Sequence, residues 1–384
     1  MMRFVFACDS FKGTISSTRA AELLEVEARL AFGDVESLGL GVADGGEGTV
    51  DAVVAATGGT LVSTEVEGPL GVLVRASYGL LPGGRAVIEM AAASGITLVP
   101  RKALDPLRAS TYGTGQLVLD ALERGATDVS LAIGGSATND GGMGFARALG
   151  ARFLDASGAE LVGCGADLER VTAVDLSGLD PRIAGARFHV MCDVDNPLVG
   201  ERGATFVFGP QKGATSETLE RLEAGMSSYA SILERAFSVP VAHEPGMGAA
   251  GGLGAAARLF LDAEVVPGAE WVLDLVGLDT ALEGASLCVT GEGHADAQSA
   301  HGKVISGVAT RCREAGVPCV AIVGGMDASA TELLGCGVDV LVPTVIDASS
   351  LGDVLAHAEE NFRLAARRAF SLLRIGWQWG GGDA

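Results

Sequence analysis

Positive charge is scarce in this sequence, and so are aromatic side chains. Among 384 residues there are 27 Lys and Arg against 48 Asp and Glu, so the net charge is −21, and aromatic residues make up 5%. Nucleic acids and anionic membrane surfaces require a basic face, which such a chain lacks. We therefore expect no nucleic acid and no membrane as partners. A nucleotide stays possible because its contacts can be local or metal-assisted.

Paired cysteines and long apolar runs are also missing. The seven cysteines form no CxxC pair and have no regular spacing. Most of them lie in apolar runs, which is typical of small reduced core residues and not of metal ligands. The N-terminal apolar run, Phe4 to Cys8, is too short for a signal peptide, and no run reaches membrane-spanning length. We expect a soluble, cytoplasmic protein with more than one domain.

Glycine, by contrast, is abundant, and the stretch from Ile133 to Gly150 concentrates it. The apolar run that leads into this stretch, Asp128 to Ile133, predicts a strand, and the Ala- and Leu-rich segment that ends at Gly150 predicts a helix. The glycines between them predict a turn. Such a turn lets a backbone approach a phosphate at a helix N-terminus. The alternative is a tight turn capped by Asn139 or Asp140. The candidate phosphate contacts are Gly134, Gly135, Ser136, Thr138, Asn139, Asp140, Gly141 and Gly142.

Polar loops follow several other predicted strands. In open α/β sheets, ligands bind beyond the carboxyl ends of the strands, so these loops are candidate sites. Asp9 and Lys12 follow the strand Arg3 to Cys8, and a long polar loop, Gly291 to Lys303, follows the strand Leu287 to Thr290. After the strand Arg187 to Cys192 come Asp193, Asp195 and Asn196, where paired acids can hold Mg²⁺ or act as a base, or form a solvated turn.

Lysine is rare, and its few positions are informative. The chain contains Lys12, Lys102, Lys212 and Lys303, and all but Lys102 are adjacent to glycine in the predicted loops. Lysine provides a compact ammonium where arginine provides a planar fork. A composition that retains lysine at these loops favours phosphate chemistry.

The pattern of predicted elements changes along the chain. Parallel α/β repetition occupies both ends, whereas short turns between Gly59 and Met90 predict antiparallel hairpins. We expect an α/β fold of two domains. The first is a discontinuous Rossmann-like domain with a parallel sheet, residues 1–65 and 285–384. A mixed α/β domain, residues 66–284, is inserted in it.

Taken together, the motifs resemble the bacterial type-1 glycerate kinase family over nearly the whole chain. The motifs that carry the resemblance are DSFKG (9–13), ADGGEGT (43–49), STYGTG (110–115), IGGSATNDGG (133–142), CDVDNPL (192–198), FGPQKGA (208–214), GAAGGLGA (248–255) and TGEGHADAQSAHGK (290–303). The resemblance implies two α/β domains with the active site in the cleft between them. It also implies ATP-dependent phosphorylation of D-glycerate, in bacteria typically to 2-phosphoglycerate, and ATP and Mg²⁺ as cofactors.

Residue roles follow as expectations from this resemblance. Lys12, Lys212 and Lys303 neutralise transferring oxygens or hold the glycerate carboxylate, and Asp193 is the preferred base or metal ligand. Further candidates in the same motifs are Ser10, Asp44, Glu47, Asn196, Glu292, His294, Asp296 and Gln298, with Asp193, Asp195 and Asp296 as metal ligands. The chain departs from the family at His294, where arginine is usual, and at Ser299, where threonine is usual.

Several alternatives stay open. The product could be 3-phosphoglycerate, or the acceptor another small hydroxy acid. A more distant alternative is a dinucleotide-dependent oxidoreductase, suggested by a formal GxGxxG at Gly246, Gly248 and Gly251. No good strand precedes this motif, and close packing of a helix through small residues explains it more simply. Nothing in the sequence indicates the oligomeric state, so a homodimer also stays open.

Overall fold

The computed structural model describes residues 2–11, 13–300, 302–345 and 350–379. These residues form strands β1 (Arg3–Cys8), β2 (Glu36–Gly39), β3 (Thr60–Glu67), β4 (Leu73–Leu81), β5 (Arg85–Glu89), β6 (Asp128–Ala132), β7 (Arg152–Leu154), β8 (Ala173–Asp175), β9 (Arg187–Met191), β10 (Glu264–Val266), β11 (Leu287–Ala295), β12 (Cys319–Met326) and β13 (Val340–Pro343).

Helices connect and cover these strands. They are α1 (Ser17–Phe32), α2 (Thr49–Thr57), α3 (Ala91–Ser94), α4 (Tyr112–Glu123), α5 (Met143–Ala148), α6 (Ala204–Phe208), α7 (Ser216–Phe237), α8 (Ala249–Phe260), α9 (Gly268–Leu275), α10 (Leu278–Leu282), α11 (Val304–Ala315), α12 (Leu333–Cys336), α13 (Leu351–Ala356) and α14 (Ala358–Trp379).

The described residues separate into two compact units. The first unit contains residues 2–44, 51–57 and 269–379, and the second contains residues 45–50 and 58–268. Each unit has its own sheet and its own buried apolar cluster. The predicted α/β fold of two domains is thereby confirmed.

The first unit is built on a five-stranded sheet in the order β13-β12-β11-β1-β2, and all its neighbouring strands are parallel. Its central strands β1, β11 and β12 are mostly buried, as expected for a parallel sheet that helices cover, whereas the edge strands β2 and β13 are partly exposed. Helices α1 and α14 pack together, and Glu27 of α1 accepts hydrogen bonds from Arg363 and Arg367 of α14. In a parallel sheet all carboxyl ends lie at one edge, which here presents the loops after β1, β11, β12 and β13.

Strand β11 is longer than predicted. The expected strand ended at Thr290, but pairing with β12 continues through Glu292, His294 and Ala295. Glycine allows this extension, because a Cβ on Gly291 would lie 2.0 Å from the carbonyl oxygen of Ile322. The first five of the 13 residues of the predicted polar loop are therefore strand, and their side chains have fixed directions.

The second unit has a six-stranded mixed sheet in the order β10-β9-β6-β5-β4-β3. The predicted hairpins are confirmed, since β3 pairs with β4 and β4 with β5 in antiparallel register, whereas β5, β6, β9 and β10 are parallel. Its core contains Tyr78, Phe145, Phe153 and Tyr229, all buried. No helix in the described part of the chain is long and apolar enough to cross a bilayer.

Candidate active site

A cavity of about 630 Å³ lies at the carboxyl edge of the first unit's sheet. Loops and strand ends from β1, β11, β12 and β13 contribute to it, as do α13 and α14. The position is the one expected for a ligand in an open parallel sheet. The predicted site residues that line the cavity are Asp9, Ser10, Asp44, Glu292, His294, Asp296 and Lys303.

Glu292 has the most unusual surroundings of these residues. Its side chain is 7% exposed, and its Oε1 has no hydrogen-bond partner among the described residues. Burial raises the pKa of this carboxyl, while a hydrogen bond from Ser299 and the charge of Lys303 lower it, and Asp296 and Asp44 raise it further. An unpartnered buried oxygen is costly, so a ligand that donates to it would be stabilised.

Asp296 and Lys303 shape the loop between β11 and α11. The Oδ1 of Asp296 accepts hydrogen bonds from the backbone N–H groups of Gln298 (2.8 Å) and Ser299 (3.2 Å), which fixes the turn. Lys303 is the N-cap residue of α11, and no side chain caps this helix. The ammonium of Lys303 and the free N–H groups of the first turn together favour an anion.

Two histidines and one lysine complete the motifs of the first unit. His294 is exposed on the extended part of β11, opposite Gly325 of β12. Its charge contributes to lowering the pKa of Asp327, behind the hydrogen bonds from Ser329. Lys12 and His301 lie outside the described residues, so the predicted role of Lys12 stays a prediction.

In the second unit, predicted residues also meet at a sheet edge. Gly134 and Gly135 follow β6 and are exposed, and a Cβ on Gly134 would lie 3.6 Å from the Cα of Gly46. Glu47, next in that loop, is exposed. Asp193 follows β9, is exposed, and its Oδ1 accepts a hydrogen bond of 2.7 Å from the backbone N–H of Gly268.

The rest of the glycine turn lies in the interior of the second unit. Thr138, Asn139 and Asp140 are fully buried. The carboxylate of Asp140 accepts hydrogen bonds from the backbone N–H groups of Thr111 (2.7 Å), Gly142 (3.1 Å) and Gly144 (3.2 Å). The anion at the start of α5 is thus Asp140 itself, as in the capped-turn alternative, and α5 is only six residues long.

Lys212 is an interior lysine. It is 1% exposed, and its Nζ donates a hydrogen bond of 2.6 Å to the carbonyl oxygen of Thr138. Burial lowers the pKa of Lys212 to about 7, and the nearby charge of Asp140 acts in the opposite direction. Contact of this ammonium with a transferring phosphate, as the resemblance implied, stays a prediction.

Other predicted residues are engaged in local structure. Asp195 pairs with Arg202 at 3.0 Å on the surface, and the Nδ2 of Asn196 donates to the carbonyl oxygen of Arg202. Ser136 is buried and bridges to Gly95. Within the described ranges, no group of three or more His, Cys, Asp or Glu side chains is arranged to hold a metal ion. The predicted ligands Asp193, Asp195 and Asp296 do not form such a group.

The formal GxGxxG motif has a packing role. A Cβ on Gly248 would lie 2.1 Å from the carbonyl oxygen of Pro197, and one on Gly251 would lie 2.1 Å from that of Thr138. The residues after Gly248 are the kinked start of α8, with positive φ at residues 250–252. These glycines therefore allow backbones to approach each other, which is the simpler explanation considered above.

Sequence patterns missed part of the cavity. Gly324, Gly325, Thr344, Val345, Leu351, Val354 and Leu355 line it but were not among the predicted site residues. The Gly-Gly pair at the end of a predicted strand was a usable signal, because glycine there permits close backbone approach. Nothing local in the sequence distinguishes the apolar residues from core residues.

The two units define an α/β protein whose first unit has an acidic cavity with a lysine at the carboxyl edge of a parallel sheet. The model of the glycerate kinase family matches residues 4–374. The glycerate 2-kinase of Escherichia coli strain K12 is 43% identical over 98% of this chain and 99% of its own. The glycerate kinase of Bacillus subtilis strain 168 is 44% identical over 97% and 98%.

A solved structure agrees with these relatives. The crystal structure of a protein assigned as glycerate kinase 2 from Salmonella typhimurium LT2 superposes with a TM-score of 0.90 at 44% identity, covering 98% of this chain and 99% of the other. The chain belongs to the glycerate kinase family and is an enzyme. This membership confirms the family resemblance and sets aside the oxidoreductase alternative.

Proposed function

We propose that the enzyme transfers the γ-phosphoryl group of ATP to D-glycerate and forms 2-phospho-D-glycerate and ADP. Membership of the glycerate kinase family supports phosphorylation of glycerate, and the name of the Escherichia coli relative supports the 2-position. The observation that carries the proposal is the cavity where Lys303 lies with Asp9, Asp44, Glu292 and Asp296.

The chemistry of the reaction explains this mixture of charges. Phosphoryl transfer requires a positioned phosphate, neutralisation of its oxygens and a base for the attacking hydroxyl. Lys303 and the uncapped N-terminus of α11 provide positive potential for an anion. A carboxylate in a dry site can accept the proton of a hydroxyl, because burial raises its proton affinity.

Two carboxylates are candidates for the base. Asp193 was preferred from the sequence, and its Oδ1 accepts a hydrogen bond from the backbone N–H of Gly268. Glu292 is buried in the cavity wall with an unpartnered oxygen and a raised pKa, for which burial is the main cause. The unpartnered oxygen of Glu292 is suited to accept a hydrogen bond from a hydroxyl group. Replacing each carboxylate by its amide shows which of the two residues is the base.

Oxygen donors for Mg²⁺ are present around the cavity, although the described side chains form no preassembled metal site. Kinases hold Mg²⁺ through one or two carboxylates plus the phosphates of the nucleotide, so a complete protein cage is not needed. Asp9, Asp44, Glu292 and Asp296 have the required chemistry, and Mg²⁺ bound with ATP would neutralise phosphate charge there.

Burial reduces the number of residues in the glycine turn that can contact phosphate. Of the glycine turn after β6, Gly134 and Gly135 are exposed and could contact phosphate through their backbone, whereas Thr138 to Gly142 are interior. We propose that Lys212 acts on this turn by holding the Thr138 carbonyl, as a positioning residue.

An assay with a panel of acceptors tests the proposed function. Purified enzyme is incubated with ATP, Mg²⁺ and either D-glycerate, L-glycerate, lactate or glycolate, and ADP formation is followed. We expect D-glycerate to be preferred, and phosphorus NMR of the product to identify 2-phospho-D-glycerate. Formation of 3-phosphoglycerate would overturn the proposed position, and preference for another acid would overturn the proposed acceptor.

Conservative variants test the residues. Lys303→Arg keeps the charge but replaces a compact ammonium with a planar fork, so we expect turnover to fall about 10-fold or more. Lys102→Arg, at an exposed position that does not line the cavity, is the matched control and should retain normal turnover.

Glu292→Gln and Asp193→Asn distinguish the two base candidates. The variant of the base should lose most turnover while its melting temperature stays near that of the parent, since each amide is nearly isosteric. Normal turnover in both would exclude both carboxylates as the base.

A further inference from the structure

The first unit's cavity has an apolar side that small polar acids do not explain. Val345, Leu351 and Leu355 line it and are 41%, 73% and 47% exposed. Large apolar side chains in this setting lose free energy to hydration unless a partner covers them. Glycerate cannot be that partner, since it carries a hydroxyl or carboxyl oxygen on every carbon.

An apolar floor extends from α14 to the loop after β1. Phe11, Ile15 and Phe362 line the cavity and are buried, and the rings of Phe11 and Phe362 meet edge to face with centroids 5.1 Å apart. Both phenylalanines belong to the apolar cluster of the first unit, so their positions are set by core packing. A preformed apolar surface of this kind is typical of sites for planar organic groups.

The carboxylates and the exposed apolar side chains of the cavity lie in different segments at the sheet edge. Asp9 follows β1, and Glu292 and His294 lie on β11, whereas Thr344 and Val345 follow β13 at the sheet's edge. In the order β13-β12-β11-β1, three strand spacings of about 4.8 Å separate the loops after β13 and β1, or roughly 14 Å. A ligand that uses the whole cavity is therefore elongated, with one end against the exposed apolar side chains near β13 and the other near the carboxylates after β1 and on β11.

The volume of the cavity indicates the same class of ligand. The cavity of about 630 Å³ falls within the range of roughly 300 to 1,000 Å³ that is usual for drug-sized ligands and cofactors. A small hydroxy acid would leave most of it filled with water. A nucleotide has a planar base of low polarity on its faces, a ribose with two hydroxyl donors, and anionic phosphates.

We propose that this cavity binds the nucleotide substrate, with its base against Val345, Leu351, Leu355 and Ala358 and its phosphates toward Lys303. The assignment rests on the proposed kinase function, and it determines which unit carries the nucleotide. The ribose hydroxyls then lie near the carboxylates that line the cavity and donate hydrogen bonds to them. The phosphates reach Lys303 and the uncapped start of α11.

Binding of ADP without any acceptor tests this assignment. ADP is titrated into the full-length enzyme by calorimetry, for the parent and for Leu355→Asp and Leu351→Asp. Both positions are exposed on the short helix α13, so a polar side chain should be tolerated by the fold. We expect ADP to bind about 10-fold more weakly, because a carboxylate replaces an apolar contact with the base.

A matched control uses the same substitution elsewhere. Leu372 lies on α14, is 71% exposed and does not line the cavity, so Leu372→Asp should bind ADP like the parent. In turnover assays the α13 variants should raise the KM for ATP about 10-fold and leave the KM for D-glycerate within about twofold. If an aspartate variant fails to fold, Leu355→Ala is measured instead. It should weaken ADP binding and raise the KM for ATP by a smaller factor.

The outcomes separate this assignment from the proposed reaction. Unchanged ADP binding in folded α13 variants would overturn the nucleotide assignment, even if D-glycerate is phosphorylated normally. A raised KM for D-glycerate with an unchanged KM for ATP would place the acceptor in this cavity instead. Because the ADP titration needs no turnover, failure of D-glycerate as a substrate would leave its result valid.

Discussion

Lys212 and Lys303 carry the same ammonium group in opposite surroundings. Lys303 lines an open cavity at the start of α11, whereas Lys212 is buried in the second unit, where its Nζ donates to the Thr138 carbonyl. Both lysines are next to glycine in the sequence, and that pattern predicted the same role for both. Burial alone separates them, because a charge removed from water is costly unless a partner compensates it.

The buried lysine predicts a specific pH dependence of stability. Burial lowers the pKa of Lys212 from 10.5 to about 7, so between these values the unfolded chain binds more protons at this residue than the folded chain does. The free energy of unfolding should therefore rise with pH between these two values. Below about pH 7, Lys212 should make no pH-dependent contribution to it. From pH 7 to pH 9 the rise attributable to Lys212 is about 2 kcal/mol.

Lys212→Met tests this dependence, since methionine fills a similar volume and does not titrate. Urea unfolding of parent and variant is measured between about pH 7 and 9, and the slopes with pH are compared. We expect a smaller slope for the variant. Parallel curves would show that the lysine is solvated or fully compensated by Asp140 in the folded chain.

At the scale of elements, contacts between backbones decide how segments pack. The start of α8 leaves helical geometry at residues 250–252, and the backbone N–H of Gly141 donates to the carbonyl oxygen of Gly251 at 2.9 Å. This contact joins α8 to the buried turn that carries Asp140. Side chains would prevent it, which explains a run of glycines that resembles a dinucleotide motif.

Gly251→Ala should be strongly destabilising. A Cβ there would lie 2.1 Å from the Thr138 carbonyl oxygen, and φ of +68° is unfavourable for alanine. We expect a loss of about 3 kcal/mol or more, or no soluble protein, since neither backbone can move without disturbing the core. The measurement is urea unfolding monitored by circular dichroism.

Gly158→Ala is the matched control in the same unit. Its φ is +81°, but a Cβ would meet nothing within 4 Å. It should therefore show only the conformational cost of about 1 to 2 kcal/mol. Equal losses for the two variants would mean that close approach at Gly251 contributes nothing.

At the scale of the whole molecule, charge is the dominant global property. The net charge of −21 over 384 residues causes self-repulsion that weakens the folded state. Many of the arginines pair locally with Asp or Glu on the surface, as Arg152 does with Asp175 and Arg221 with Glu169, but these pairs leave the excess negative charge unbalanced.

Moderate salt should therefore stabilise the enzyme. Raising NaCl from about 0.02 to 0.2 M shortens the screening length from about 20 Å to about 7 Å, which weakens long-range repulsion more than short ion pairs. We expect the melting temperature to rise by a few degrees, measured by calorimetry at constant pH. A fall would mean that the surface ion pairs outweigh the net repulsion.

Local patterns in the sequence determined much of the fold and part of the site. Alternating runs with short turns predicted the hairpins of β3, β4 and β5, because strand pairing across a tight turn depends on neighbouring residues only. Apolar strands followed by polar loops placed Asp9 and the 291–303 segment at the carboxyl edge of the first unit's sheet, where seven predicted residues line one cavity. Their chemical roles stay proposals.

Tertiary structure decided what depends on residues distant in the chain. Asp140 and Lys212 look like loop residues in the sequence, and only the packing of α5, α7 and α8 around them makes them interior. The end of β11 could not be predicted from the local sequence, because its last residues form a strand only by pairing with β12. Leu351 and Leu355 are apolar and cannot be told from core residues in the sequence. Their exposure in the cavity depends on where α13 lies relative to the sheet. Burial and strand pairing are sums over contacts between distant segments, so they are properties of the folded chain, whereas turn chemistry and periodicity are already present in the sequence.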